Sequence, residues 1–180
     1  MTGKKTINGE RIYLRPVQVS DANKDYCRWM NDAEVTRYTE SRFFGHTLAG
    51  IRRYIKDALA SKDSIFLAIV LIENGRHIGN IKIHRINRAH AHAEMSLLIG
   101  EKSCWGQGIG SEAIRLAAGH AFNIIKLHKV YAGCYANNIG SVRAFKKAGF
   151  KEEALMKDHY MFEGQYIDGI QLGLVNRPED

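Results

Sequence analysis

Three glycines at alternate positions, in the stretch Trp105-Gly106-Gln107-Gly108-Ile109-Gly110, are the residues of this chain best suited to holding an anion. Glycine enters backbone conformations closed to residues with a Cβ, so successive N–H groups can turn toward one point. The stretch follows the apolar run Met95-Ser96-Leu97-Leu98-Ile99 and precedes Ser111-Glu112-Ala113-Ile114-Arg115-Leu116-Ala117-Ala118. A strand therefore runs into a turn that opens a helix. The converging amides would lie beside the positive end of that helix, where a phosphate is favoured. The pattern is not Walker A, which needs Lys-Ser/Thr after the glycines, nor the dinucleotide fingerprint, whose third glycine would fall on Ser111. On the turn alone, a strand-to-helix connection that binds nothing stands as the alternative.

A second segment, Tyr131 to Phe150, reads as a strand, a helix capped by Asn138, a glycine stop at Gly149 and the start of a new strand. The two segments together resemble the GCN5-related N-acetyltransferases (GNAT). In that family a Gln/Arg-x-x-Gly-x-Gly/Ala pyrophosphate loop is followed by Asn-x-x-Ser/Ala and a helix closed by a Gly-Phe pair. Here Gly108, Gly110, Asn138, Ser141, Gly149 and Phe150 match. Trp105 stands where Gln or Arg is usual, similar to the Trp-Gly-x-Gly form of the subgroup containing the ribosomal-protein N-terminal acetyltransferases. The resemblance extends over essentially the whole chain. It implies an α/β (α+β) fold with a mixed, mostly antiparallel seven-stranded sheet, about four flanking helices and a splayed central strand pair. It also implies acetyl-CoA as co-substrate, with no metal, and coenzyme contacts at Trp105, Gly106, Gln107, Gly108, Ile109, Gly110, Ser111, Asn138 and Ser141. The backbone of Leu97, Leu98 and Ile99 would bind the pantetheine arm as if it were another strand, while their alternating side chains pack.

Acetyl transfer to an amine must remove a proton from an ammonium, attack a thioester carbonyl and release a thiolate. Glu94 is the only carboxylate on the central strand. It stands where many relatives carry a glutamate that draws the amine proton, and a partly buried carboxylate can be tuned for that task; the alternative is a solvated residue at a strand's start. Many relatives place a Tyr seven residues after the Asn to protonate the leaving thiolate, but here that position is Phe145. Either Tyr135 or Tyr160 substitutes, or the thiolate leaves with little help. Of these, Tyr160 is the candidate acid. The missing Tyr also opens a second reading, a non-catalytic acyl-CoA-binding or sensor domain.

Elements that must position these residues are legible in the pattern. Ile12, Leu14 and Pro16 alternate with Tyr13 and Arg15 as in a strand with one buried face. A helix is expected from Ser20-Asp21 through Met30, and another after Thr47. Asn74-Gly75 marks a hairpin between Ile65 to Ile72 and Arg76 to Ile86, and two strands, Phe150 to Met161 and Tyr166 to Val175, end the chain. The irregular aromatic and charged segment Thr36 to His46 is the candidate acceptor loop, with Arg37, Tyr38, Arg42 and Phe43 as substrate contacts; aromatics plugging the end of the core is the plainer reading. Glu40 there is outnumbered by Arg37, Arg42 and His46, which would repel a polyamine and suit an acceptor bringing its own negative charge, such as a nucleotide-linked amino sugar, or a protein N-terminus.

The 180 residues, 45% hydrophobic, suit a single domain over 1–180. No run of about 18 apolar residues exists, which argues against a membrane partner, and Met1-Thr2-Gly3-Lys4-Lys5 is not the start of a secretory signal. A cytoplasmic protein is expected. Cys27, Cys104 and Cys134 lack the spacing of redox or zinc sites, and His84, His90 and His92 lack acidic or thiol partners at ligand spacing. The net charge of +7 is scattered in pairs such as Arg52-Arg53 and Lys146-Lys147, which suits anionic coenzyme A better than a nucleic acid. A homodimer is left open, and Asn176 to Asp180 is expected to be a loose tail.

Overall fold

Buried Ile12 and Leu14 alternate with partly exposed Tyr13 and Arg15 in the computed structural model, which describes residues 6–177. These residues form β2 (Ile12–Pro16), which lies in one continuous sheet with β1 (Ile7–Asn8), β3 (Ile65–Leu71), β4 (His77–Asn87), β5 (His92–Ile99), β6 (Lys129–Tyr135), β7 (Lys151–Phe162) and β8 (Gln165–Val175). The order is β1-β2-β3-β4-β5-β6-β8-β7, with every neighbouring pair antiparallel except β5 and β6. Eight strands are therefore described, one more than the expected seven. The extra one is the two-residue β1, paired with Tyr13 and Leu14 and too short to carry a periodic signal. The residues of the expected tail beyond Arg177, like Met1 to Lys5, lie outside the described residues.

Five α-helices flank the sheet: α1 (Lys24–Met30), α2 (Ala33–Thr36), α3 (Leu48–Ala60), α4 (Ile109–Asn123) and α5 (Ile139–Lys147). The one beyond the expected count is the single-turn α2, whose first N–H groups are accepted by the Asp32 side chain. The first long helix begins later than its periodicity suggests. A 3-10 turn covers Val19–Asp21, because Arg15 and the Gln18 N–H engage the Asp21 carboxylate, and Asn23 then caps α1 through the Tyr26 N–H. Thr47 caps α3 through the Gly50 N–H, as expected. The hairpin turns at Gly75 with φ of 69°. Among the described residues no helix is long and apolar enough to cross a membrane.

Two apolar layers result. Helices α4, through Ile114, and α5 cover one face, over Ile12, Leu14, Ile81, Ile83, Met95 and Leu172. The opposite face buries Ala68, Val70 and Phe66 under Tyr26, Trp29, Ile51 and Ile55 of α1 and α3. Each such aliphatic side chain contributes about 1.5–3 kcal/mol on burial. The two faces matter for function, because strand residues alternate between them.

Buried Glu112, in the first turn of α4, ties that helix to the first strands. Its carboxylate accepts the backbone N–H groups of Glu10, Arg11 and Ile12 and the Arg11 Nε. Burial penalises its charge, but these donors outweigh the penalty and hold it below the ordinary carboxylate range. A depressed folded-state pKa contributes stability above the unfolded value, and that contribution is lost as pH falls through the folded one. Glu112→Ala is expected to cost about 3 kcal/mol at neutral pH, since three backbone donors lose their partner. Urea unfolding should show the gap between variant and wild type closing as the pH is lowered below about 4. A constant gap would contradict this role.

Candidate active site

The single parallel pair in the sheet is also its defect. Strands β5 and β6 pair only at His92↔Lys129, Ala93↔Val130 and Glu94↔Tyr131. Beyond Glu94 they diverge, while β5 continues to pair with β4 as far as Ile99 and β6 with β8 as far as Tyr135. The result is a V whose inner edges, Met95 to Ile99 and Ala132 to Tyr135, are free of each other. Such an opening presents unpaired strand N–H and C=O groups to an extended arm. Leu97, Leu98 and Ile99 lie along its β5 bank.

At the open end β5 enters the glycine turn. Gly106 and Gly108 have φ of 72° and 80°, and Gly108 is the residue preceding α4. Gly110 does not share this geometry, contrary to the reading of three alternate glycines as one device. It lies within α4, where a Cβ would stand 3.1 Å from Leu97 Cδ2, a close helix–strand approach. Two cations flank the turn. A Cβ on Gly108 would lie 3.5 Å from Arg11 Nη2 and 3.7 Å from Lys147 Nζ, and Arg11 Nη1 donates to the Gln107 carbonyl at 2.7 Å. Neither was singled out in the sequence, where Lys147 stands only as half of the charge pair Lys146-Lys147. Trp105 is 38% exposed and donates its indole N–H to the Ile99 carbonyl, bracing the turn against the end of β5. The Asn138 side chain caps α5 through the Ser141 N–H, and Ser141 Oγ lies 3.3 Å from buried Cys134 Sγ.

Side-chain parity separates the coenzyme side from the opposite side. Ala93, Met95 and Leu97 face α4, as do Val130, Ala132 and Cys134. Glu94, Ser96 and Leu98 on β5, with Tyr131, Gly133 and Tyr135 on β6, therefore face the other way. Glu94 is held by Arg85 at 2.9 Å through Oε2. Across the V, Tyr160 stacks on Tyr135 with ring centroids 4.0 Å apart, and a Cβ on Gly133 would lie 3.2 Å from its hydroxyl. A bulge places it there. Four residues of β7, from Met156 to Tyr160, span two of β8, and Asp168 clamps the excess by accepting the Asp158 N–H and pairing with Lys157. Burial raises the Tyr160 phenol above its ordinary value, with Tyr135, Cys134 and Glu94 adding in the same direction, so it stays protonated and able to donate. Phe145 is 2% exposed and packs edge-on against Phe150, a core residue.

The candidate acceptor loop closes this face. Tyr38 donates to the Asn137 carbonyl and stacks on Phe162, and Arg37 pairs with Glu163 at the β7–β8 turn. Arg42 is more committed than its type suggested. Its guanidinium donates to the carbonyls of Arg37, Thr39 and Met161 and lies over the Phe43 ring at 4.3 Å. The loop thus separates an outer cavity of about 440 Å³, lined by Arg37, Arg42, Phe43 and Phe162, from an inner one of about 310 Å³. Asn80, Lys82, Tyr54 and Ser96 line the inner cavity, and sequence reasoning did not single them out. Their signal was the polar alternation Asn80, Lys82, His84 within an otherwise apolar strand. Among the described residues no group of three or more His, Cys, Asp or Glu is placed to hold a metal ion.

Residues 11–151 match the family described as acetyltransferase (GNAT) domain. The chain belongs to this family. The probable N-acetyltransferase YjcK of Bacillus subtilis is 28% identical over 186 residues, covering 97% of this chain and 98% of its own. In fold, the chain is similar to the Vibrio cholerae spermidine N-acetyltransferase solved with CoA and spermine, with a TM-score of 0.82, 20% identity and coverage of 93% and 96%. It is likewise similar to Mycobacterium smegmatis RimJ in complex with CoA-disulfide, with a TM-score of 0.83, 20% identity and coverage of 96% and 88%. This GNAT chain is an N-acetyltransferase.

Proposed function

We propose that this N-acetyltransferase uses acetyl-CoA and transfers the acetyl group by direct attack within a ternary complex. The acceptor is an amine that brings its own negative charge, such as a nucleotide-linked amino sugar, or a protein N-terminus. The observation that carries this reading is the V between β5 and β6, with Glu94 and Tyr160 on opposite banks and the cation-flanked glycine turn at its open end. The pyrophosphate sits on the N–H groups of the turn between Arg11 and Lys147, and the pantetheine arm follows Leu97, Leu98 and Ile99. Glu94 takes a proton from the acceptor ammonium, directly or through one water. The freed amine attacks the thioester carbon, and the C–S bond breaks as the tetrahedral centre collapses. The departing sulfur takes its proton from Tyr160, which regains one from the nitrogen as the amide forms. A covalent acetyl-cysteine route has little support, since burial pushes the Cys134 thiol up and keeps it protonated.

An acceptor of this class fits better than a polyamine. No Asp or Glu lines the inner cavity, and Lys82 does. Thiol release from acetyl-CoA should be measured with spermidine, a UDP-linked amino sugar and a short peptide with a free N-terminus. One of the latter two is expected to exceed spermidine in kcat/KM. Spermidine as the best of the three would overturn the acceptor assignment.

A further inference from the structure

Asn80 on β4 is 4% exposed, and its Nδ2 has no hydrogen-bond partner. Its orientation is set by a neighbour. His77 Nε2 lies 2.8 Å from the Gly79 carbonyl and 3.0 Å from Asn80 Oδ1. The carbonyl can only accept, so Nε2 carries the hydrogen, and the amide must turn its oxygen toward His77. The Nδ2 end is left as a desolvated donor at the wall of the inner cavity. A buried donor without a partner is destabilising, and that cost is recovered if a bound group accepts from it.

Lys82 stands two residues along the same face. Its Nζ donates to Tyr54 Oη at 3.1 Å and lies 4.9 Å from the Tyr54 ring centre. Among the described residues no carboxylate pairs with it. An ammonium has three N–H donors, so two remain for the cavity. Register places Lys82 opposite Ser96 and His84 opposite Glu94. The ammonium level is therefore two residues, about 7 Å, from the proposed base. Phe66, Ile51 and Leu98 supply apolar wall between the polar ends.

We infer that Asn80 and Lys82 form a subsite for an oxyanion carried by the acceptor, so that the preferred substrate is a residue-sized amine bearing a carboxylate on an apolar body. This rests on the proposed function for the position of the amine, and it narrows the anionic acceptors to those whose charge lies about two strand residues from the nitrogen.

Three five-carbon probes test it: 5-aminopentanoate, pentylamine and 1,5-diaminopentane. Turnover should be measured at saturating acetyl-CoA, and binding to the CoA-saturated protein by calorimetry. Wild type is expected to prefer 5-aminopentanoate over pentylamine by about tenfold or more in both readouts, the effect of one or two hydrogen bonds to a charged group. It should disfavour the diamine. Lys82→Gln, at a partly exposed position that leaves the fold intact, should remove most of that preference. Asn80→Asp keeps the acceptor for His77 while replacing the donor by a carboxylate, and should turn 5-aminopentanoate into the poorest ligand. Equal binding of 5-aminopentanoate and pentylamine to wild type, no detectable binding of the former, or a preference unchanged in Lys82→Gln would overturn the subsite. Thioester cleavage with pentylamine but no carboxylate preference would refute the subsite alone. Binding of the carboxylate without turnover on any amine would support the subsite and refute the proposed reaction.

Discussion

Gly108→Val is expected to lower the affinity for coenzyme A by at least about 100-fold while leaving the protein folded. Gly108 has φ of 80° and ψ of 4°, a left-handed conformation that costs about 1–2 kcal/mol for an ordinary residue and more for a β-branched one. The chain relieves that strain by rotating the peptide units of the turn, and those units carry the N–H groups proposed above to hold the pyrophosphate. The new side chain would also enter the space beside Arg11 Nη2 and Lys147 Nζ. Losing two hydrogen bonds to a charged group, at about 1.5–3 kcal/mol each, exceeds the roughly 2.8 kcal/mol that corresponds to 100-fold in affinity. The helix behind the turn keeps its anchor at Glu112 and its packing through Ile114 and Ala117, so circular dichroism should remain close to wild type. Titration calorimetry with coenzyme A is the measurement. An unchanged Kd in a folded variant would remove the phosphate from this turn.

Glu94→Gln is expected to reduce kcat by about 10²–10³ with little change in KM for acetyl-CoA, the usual range for removing a general base. The substitution preserves shape and removes the proton acceptor. The ion pair it breaks, with an Arg85 side chain that is 74% exposed, contributes little to stability, so unfolding midpoints should move by less than about 0.5 kcal/mol equivalent. The decisive readout is the pH dependence. A base is needed because the acceptor arrives as an ammonium, whose pKa in a lysine-like amine is about 10.4. As pH rises toward that value a growing fraction arrives already neutral, so the deficit of the variant should shrink with pH. A deficit independent of pH would make Glu94 a positioning residue. A raised acceptor KM with unchanged kcat would make it a binding residue.

Much of the fold was legible because its signals are local. Alternation in β2, the Asn74-Gly75 hairpin, the caps at Thr47 and Asn138 and the glycine turn before α4 each depend on a few adjacent residues. The motif pair carried the family for the same reason. Gly108 was assigned its conformation from the pattern, and the structure places it there. Gly110 was not distinguishable from it, because what sets it apart is a helical backbone and the close approach of Leu97, which only the packing of α4 on β5 brings within reach.

The site's far side depended on contacts distant in sequence. Arg42 has the type of a substrate-binding cation, yet the carbonyl of Met161, 119 residues away, shares in engaging it. Tyr160 reaches the mouth of the V only because a bulge in β7, clamped by Asp168, turns its ring onto Tyr135. Lys82 and Asn80 read as polar interruptions in a strand until β3, α1 and α3 enclose them in a cavity lined by no carboxylate. Residue type and spacing determined that this chain belongs to the GNAT N-acetyltransferases and that a glycine turn opens one of its helices. Which charges remain free to meet the acceptor was decided by tertiary structure, because a side chain's availability depends on what the rest of the fold has already bonded to it.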